Sequence, residues 1–443
     1  MLSTRGTRRD LGICHMSTPF AGPRAPIVPL SIMMFLQFFV WGAWYVSQTG
    51  FMVKQGMGDL IPWAYTVGPI AAIISPFFLG MIADRFFPSQ RVLGALHLLG
   101  GIVMLLVPGA AHVYTAGDTK FMQPYILMLM LHMLCYMPTL GLTTSLALHH
   151  MTEPEKQFPL IRVWGTIGWI VGNIVVGGNL KTWGIDFSWI ADGDKSPAQF
   201  YITGGAAILL GLFSFSLPHT PPPLKGKTVT VGEILGLDAV QLLRKPSYLV
   251  FVICSFLLCI PLAGYYNYAR NYVEATGFSN ATMTMSYGQM SEIFFMIIMP
   301  ACFARLGVKW MLAIGMLAWV ARYGLFSAAA DDHVRWMVLG GIILHGICYD
   351  FFFVTGMIYV DRAAPPTIRG QAQGFLVLVT QGLGMLIGAQ AFGLLVAHHT
   401  TKPLPDVAIL DWKHIWLAPC IFAVVVLVIF VAAFRNSRKQ VNT

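Results

Sequence analysis

Long apolar runs recur along the whole chain, separated by short polar segments rich in Pro, Gly and charge. They lie near residues 28–53, 62–83, 92–111, 122–146, 160–179, 199–217, 247–269, 283–303, 310–328, 336–360, 370–397 and 415–434. Each holds roughly 20 residues or more, enough for a helix to cross ~30 Å of hydrocarbon. A membrane barrel would use strands of about 9–11 residues with alternating polarity, and these runs are longer. The pattern predicts an all-α membrane protein of twelve transmembrane helices.

Lys and Arg in the loops set the direction of insertion. With both termini cytoplasmic, nineteen of the 28 basic residues fall on the inner side and nine are outer or embedded. The longest inner loop opens with "LPHTPPPLKGK", whose Pro run cannot continue a helix. The expected organisation is a tail at 1–27, a six-helix half at 28–217, a central loop at 218–246, a second six-helix half at 247–434 and a tail at 435–443. Both tails and the loop are expected to be cytoplasmic. The halves echo each other. Leu131-His132-Met133-Leu134-Cys135-Tyr136 in run four matches Leu344-His345-Gly346-Ile347-Cys348-Tyr349 in run ten, and Ile161-Arg162 matches Ile368-Arg369. Such a parallel six-plus-six repeat is the arrangement of the major facilitator superfamily. Residues 1–15 match no span, and Met16 offers an alternative start, so the first fifteen residues are expected to be dispensable.

Composition agrees: 56% of residues are hydrophobic and 11% charged, where a soluble domain carries about a quarter charged. Mean hydropathy is +0.67. The net charge of +9 comes from basic residues scattered singly or in pairs; with no continuous basic stripe, nucleic acid is excluded as a partner. The seven cysteines include no CxxC, and all but Cys14 lie in apolar runs, which excludes a disulfide framework or zinc ribbon. His149-His150 and His398-His399 lie at run ends without acidic or Cys company and are expected to be loop histidines. No metal site is expected. No G-x-x-x-x-G-K-[ST], G-x-S-x-G or H-E-x-x-H occurs. The chain is therefore not read as an enzyme, no cofactor is expected, and an ion gradient remains as the energy source.

Such a gradient needs a titratable group inside the membrane. Among the 19 acids only Glu292 and Asp350 lie well inside runs. A charge there costs ~2.5–3.5 kcal/mol on insertion scales, so it faces a cavity or a partner. Glu292 has two readings, a functional group or a structural ion pair with Arg322 at similar depth; Asp350 has no obvious partner at its depth. Gln289 and Glu292 are three apart and share a helix face. Arg162 either lines the interior or reaches the interface. Trp41, Trp44, Tyr45, Tyr265, Tyr266 and Tyr268 either stack on a solute or anchor at the membrane surface. The three tyrosines surround Asn267, which makes a lining role the favoured reading for run seven. Asp84 with Arg85 reads as a conformational latch at the inner face.

Several blocks look familiar. "GMIADRFFPSQR" (Gly80 to Arg91) resembles the superfamily loop motif G-x-x-x-D-R-x-x-x-x-x-R. "CYMPTLGL" (Cys135 to Leu142), "FPLIRVWGTIGWI" (Phe158 to Ile170), "LPHTP", "LGLDA" and "YDFF" (Tyr349 to Phe352) resemble the bacterial nucleoside:proton symporter family, over about Leu30 to Arg435. The resemblance implies a carrier of the major facilitator fold, moving nucleosides with protons by alternating access across the bacterial inner membrane. It implies substrate contacts at Arg162, Thr166, Trp169, Gln289 and Glu292, and an acidic coupling residue at Asp350, with Glu292 as a second protonation site. Tyr266 with neighbouring Asn267, and His345 and Tyr349, are further candidate substrate contacts that stand where the family has other residues. A family Gln and Asn in helix seven align to Ala263 and Tyr266, and a Tyr and a Phe in helix ten become His345 and Tyr349. The implied partners are a nucleoside, protons and the lipid bilayer, with the chain expected as a monomer. Other readings are a carrier of another small polar solute such as a sugar, or a non-transporting sensor on the same scaffold.

Overall fold

The computed structural model describes residues 26–78, 86–114, 119–151, 154–177, 193–222, 230, 232, 237–365, 368–401 and 409–435. The expected latch at Asp84 and Arg85 and residues 1–15 lie outside these described residues. Helix dominates. We number the principal helices α1 (Ile27–Tyr45), α2 (Gln48–Lys54), α3 (Ile61–Phe78), α4 (Ser89–Ala111), α5 (Pro124–His149) and α6 (Pro154–Gly177). The series continues with α7 (Ala198–Ser214), α8 (Pro246–Ala275), α9 (Ala281–Ala329), α10 (Arg335–Ala363), α11 (Arg369–His398) and α12 (Trp412–Ala433). Among the described residues nine helices are long and apolar enough to cross a membrane, counting α1 with α2 as one. The only β pairing there is an isolated bridge between Thr400 and Leu410.

Two departures from simple runs matter. The runs predicted at 283–303 and 310–328 join as α9, which breaks at Gly307, where φ is 64° and ψ 176°. A left-handed φ costs glycine little, so the chain turns there without a loop. Within α10 and α11 the backbone widens into π-helical segments, Ile347–Val354 and Leu378–Gly384. Such segments shift the side-chain register and recur at functional sites.

Helices α1, α6 and α7 pack together, as do α4 with α5 and α7. Likewise α8 packs on α11 and α12, and α9 on α10 and α12. Between these two groups, α6 meets α9 and α3 meets α11. In a bilayer, helices gain little from hiding apolar surface from one another, so small residues that permit close approach decide the contacts. Gly168 shows this: a Cβ there would sit 2.1 Å from the Phe35 carbonyl oxygen of α1. That approach fixes α6 against α1 and so aims the polar face of α6.

Candidate functional site

On α6, Arg162, Thr166 and Trp169 follow at i, i+4 and i+7, one face of the helix. On α1, Phe38, Trp41 and Tyr45 share a face in the same way. The two faces meet. The Arg162 guanidinium carbon lies 4.3 Å from the Phe38 ring centroid, a cation–π contact. Trp169 meets Trp41 edge-on at 5.2 Å and Tyr45 at 6.3 Å. Tyr45 then reaches the other helix group, meeting Tyr266 of α8 at 5.7 Å. Trp41, Arg162, Trp169, Tyr266 and Tyr349 keep partial exposure while Thr166, Gln289 and Glu292 beside them are buried. A crevice between the two helix groups is thus lined with aromatic rings.

Opposite α6 stands α9. Gln289 and Glu292, each 7% exposed, lie one turn apart. Ile170 and Ile174 of α6 pack against Met290 and Ile293 of α9, and Gly288 of α9 lies against α10, where an added Cβ would meet His345 Cβ at 3.0 Å. From α10, His345 stacks on Tyr265 at 5.8 Å and 15° and faces Tyr349 at 6.1 Å. Its Nδ1 is buried without a hydrogen-bond partner. Asp350 lies within the π-helical segment, fully buried, and neither carboxylate oxygen has a hydrogen-bond partner among the described residues. A bare carboxylate in such surroundings is costly, so the group must carry a proton or gain a partner as the site rearranges.

The structure thus brings Arg162, Trp169, Tyr266, Glu292, His345, Tyr349 and Asp350 into one contiguous set, with Thr166 and Gln289 on the same helix faces. Asn267 is placed apart from the crevice. It is fully buried, its amide has no partner, and it sits a helical turn from Arg270 rather than on the Tyr266 side of α8. Ala263 also points away: a Cβ added at Gly388 of α11 would lie 2.8 Å from its Cβ. The alternative pairing of Glu292 with Arg322 is not formed. Arg322 stacks over Tyr265 at 4.2 Å and Trp319 at 4.9 Å, and its Nε donates to the Gly341 carbonyl at 3.1 Å. Both terminal nitrogens of that guanidinium have no hydrogen-bond partner.

One charged cluster was not anticipated. Arg270 at the end of α8 donates from Nη2 to Asp194 Oδ2 and from Nη1 to Glu274 Oε2, both at 2.5 Å. Lys195 also pairs with Glu274, and Thr282 donates to Asp194 Oδ2 at 2.9 Å. Gly50 of α2 leaves the space this guanidinium fills, since a Cβ there would lie 2.6 Å from Arg270 Cζ. Asp194 and Lys195 precede α7, whereas Arg270, Glu274 and Thr282 belong to α8 and α9, so the cluster ties the two helix groups. Alternating basic and acidic residues in loops carry no sequence signal for a pairing 76 positions apart.

The histidine pairs divide. His150 Nε2 lies 2.8 Å from Thr220 Oγ1, a loop contact. His399, read from sequence as lacking acidic company, has Asp411 and His414 beside it, because residues 409–411 pair with residues 399–401.

Comparison with known proteins agrees with this architecture. A family model described as Nucleoside H+ symporter matches residues 27–439. The YegT protein of Escherichia coli (strain K12) is 38% identical over 417 residues, covering 93% of this chain and 95% of its own. The nucleoside permease NupG of the same organism is 29% identical over 431 residues, covering 94% and 97%. A crystal structure of a mutant of the nucleoside transporter NupG superposes with a TM-score of 0.79 at 28% identity, covering 92% of this chain and all of that one. These relatives are transporters rather than enzymes. The chain is a membrane protein of major facilitator type and belongs to the nucleoside H+ symporter family.

Proposed function

We propose that this chain takes up nucleosides together with protons by alternating access. The observation that carries the reading is Asp350, a fully buried carboxylate with no hydrogen-bond partner for either oxygen among the described residues. It follows directly on Tyr349 at the edge of the aromatic crevice. With the cavity sealed, Asp350 is tolerated as the neutral acid; opened to water on one side, it can release its proton there. A nucleoside bound between the Trp169 and Tyr266 faces, with polar contacts from Arg162, Thr166, Gln289, Glu292 and His345, would help complete the closure. Proton and solute would then cross together.

In this reading the chain has twelve spans. Helices α1 and α2 form the first, and α9 forms the eighth and ninth on either side of Gly307. The halves 28–217 and 247–434 flank the central loop 218–246, and both termini face the cytoplasm with the tails 1–27 and 435–443. The helix pairings support this division, because each is repeated six spans later. Span one packs on five and six as seven does on eleven and twelve, and five meets eight as eleven meets two. The Arg270–Asp194 cluster then lies at the outer end of the crevice, where it would hold the carrier closed to the outside. Asp84 and Arg85 remain the proposed latch for the inner side. The chain acts as a monomer in a bacterial inner membrane, with the proton gradient as its only energy source.

Uptake of a panel of radiolabelled nucleosides and sugars into proteoliposomes, with and without an inward proton gradient, tests this. Nucleosides should accumulate only with the gradient. Accumulation of a sugar but no nucleoside would replace the cargo, and nucleoside entry indifferent to the gradient would remove the coupling.

A further inference from the structure

Where residues 399–401 meet residues 409–414, outside the crevice, the chain gathers chemistry that the transport reading does not use. His399 caps the end of α11, Asp411 precedes α12 and His414 sits in its first turn. One ligand atom from each of the three lies within 4.8 Å of the others. The backbone pre-forms the arrangement. Thr400 and Leu410 form a β-bridge, the Asp411 N–H donates to the His399 carbonyl at 3.0 Å, and the Thr401 N–H donates to Ile409 at 3.1 Å. Asp411 Oδ1 accepts from the His414 N–H at 3.2 Å, capping α12, while Oδ2 lies 2.6 Å from His414 Nδ1. The rings of His399 and His414 are parallel, 5.7 Å apart.

We propose that His399, Asp411 and His414 form a binding site for a divalent transition-metal ion of the zinc type. Imidazole nitrogens suit zinc, copper and nickel, whereas magnesium and calcium demand oxygen ligands. Two imidazoles and one carboxylate are also the protein ligands of open zinc sites, where water takes the fourth position. Asp411 Oδ2 and His414 Nδ1 already lie 2.6 Å apart, so a bound ion would take the place of the proton they share and join both as ligands. The neighbouring ammonium does not compete for Asp411, because Lys413 Nζ is held by Asp331 Oδ2 at 2.5 Å. His414 is exposed and His399 half-exposed, so an ion can enter from solvent and a water can complete its shell. Bonds of about 2.0–2.1 Å require the ligand atoms to draw in from their present spacing. Side-chain rotation at the two exposed-edge histidines supplies that movement without breaking the β-bridge. A bound ion would join the end of α11 to the start of α12.

The test uses the full chain, purified through a non-histidine tag and stripped with a chelator. Zinc chloride is titrated calorimetrically, bound metal is counted after desalting, and magnesium chloride serves as the comparison. One equivalent of zinc should bind and raise the melting temperature, with magnesium doing neither. His399→Ala and His414→Ala should each weaken zinc binding at least about tenfold. Asp411→Asn, which preserves the helix cap, replaces the carboxylate ligand by a neutral amide and should also weaken it at least about tenfold. His398→Ala, adjacent but outside the cluster, should leave binding unchanged and controls for nonspecific loss. If the stripped protein bound no zinc, or the His399→Ala/His414→Ala double variant bound as much as the parent, the site would be refuted. Equal binding of magnesium would refute the chemistry assigned to it.

Discussion

Arg270 Nη2 lies 2.5 Å from Asp194 Oδ2, and that buried contact joins the two helix groups above the aromatic crevice. The side chains are 2% and 10% exposed, so the pair is almost wholly withdrawn from solvent. Two buried charges in contact are held at a desolvation cost, but removing one partner typically costs about 3–5 kcal/mol because the other charge is stranded. A contact of this kind acts as a clamp with two states, made or broken.

Arg270→Gln should therefore weaken the outer-closed state. Spin labels at Val53→Cys and Asp332→Cys, on exposed surfaces of the two helix groups, report the opening by pulsed dipolar spectroscopy. The variant should gain a population at longer distance than the parent. An unchanged distribution would show that the Arg270 cluster supports folding without controlling closure.

Coupling should fail at Asp350 specifically. One pH unit is worth about 1.4 kcal/mol, so a one-unit gradient supports about tenfold accumulation for one proton per nucleoside. Asp350→Asn mimics the neutral acid permanently. Its accumulation ratio should fall to about one, while exchange of labelled for unlabelled nucleoside across the membrane continues. Gradient-driven accumulation by Asp350→Asn would move the coupling role to Glu292.

Much of the helix pattern and of the candidate site's placement was legible in the sequence, for definite reasons. Asp350 and Glu292 stood out because charge is rare in apolar runs, and Gln289 with Glu292 because three-residue spacing fixes a helix face. Arg162, Thr166 and Trp169 share a face by the same rule, and the family motif marked them. What depends on a helix's rotation was not legible. Ala263 aligned with a family contact but points at Gly388 of α11, while Tyr266 three residues on faces the crevice. The π-helical register around Asp350 has no signature in "ICYDFFFV". Pairings between distant segments, Arg270 with Asp194 or His399 with His414, exist only after the helices assemble.

Helix α8 gives a prediction of its own. Base–aromatic stacking is worth about 1–3 kcal/mol, so Tyr266→Ala should weaken nucleoside binding roughly five- to a hundredfold, measured by equilibrium dialysis or calorimetry. Ala263→Gln, by contrast, should act on stability, since overfilling a packed contact typically costs about 1–3 kcal/mol. Its melting temperature should drop. Were Ala263→Gln to change substrate preference at unaltered stability, the assigned orientation of α8 would be wrong.

Proton movement caused by substrate tests the central claim most directly. Proteoliposomes are loaded with a pH-sensitive dye, held without any gradient, and given external nucleoside. The interior should acidify in step with nucleoside entry, fail to acidify on addition of a sugar, and fail again with nucleoside when Asp350→Asn replaces the parent. Nucleoside entry with no acidification in the parent protein would contradict proton-coupled transport outright.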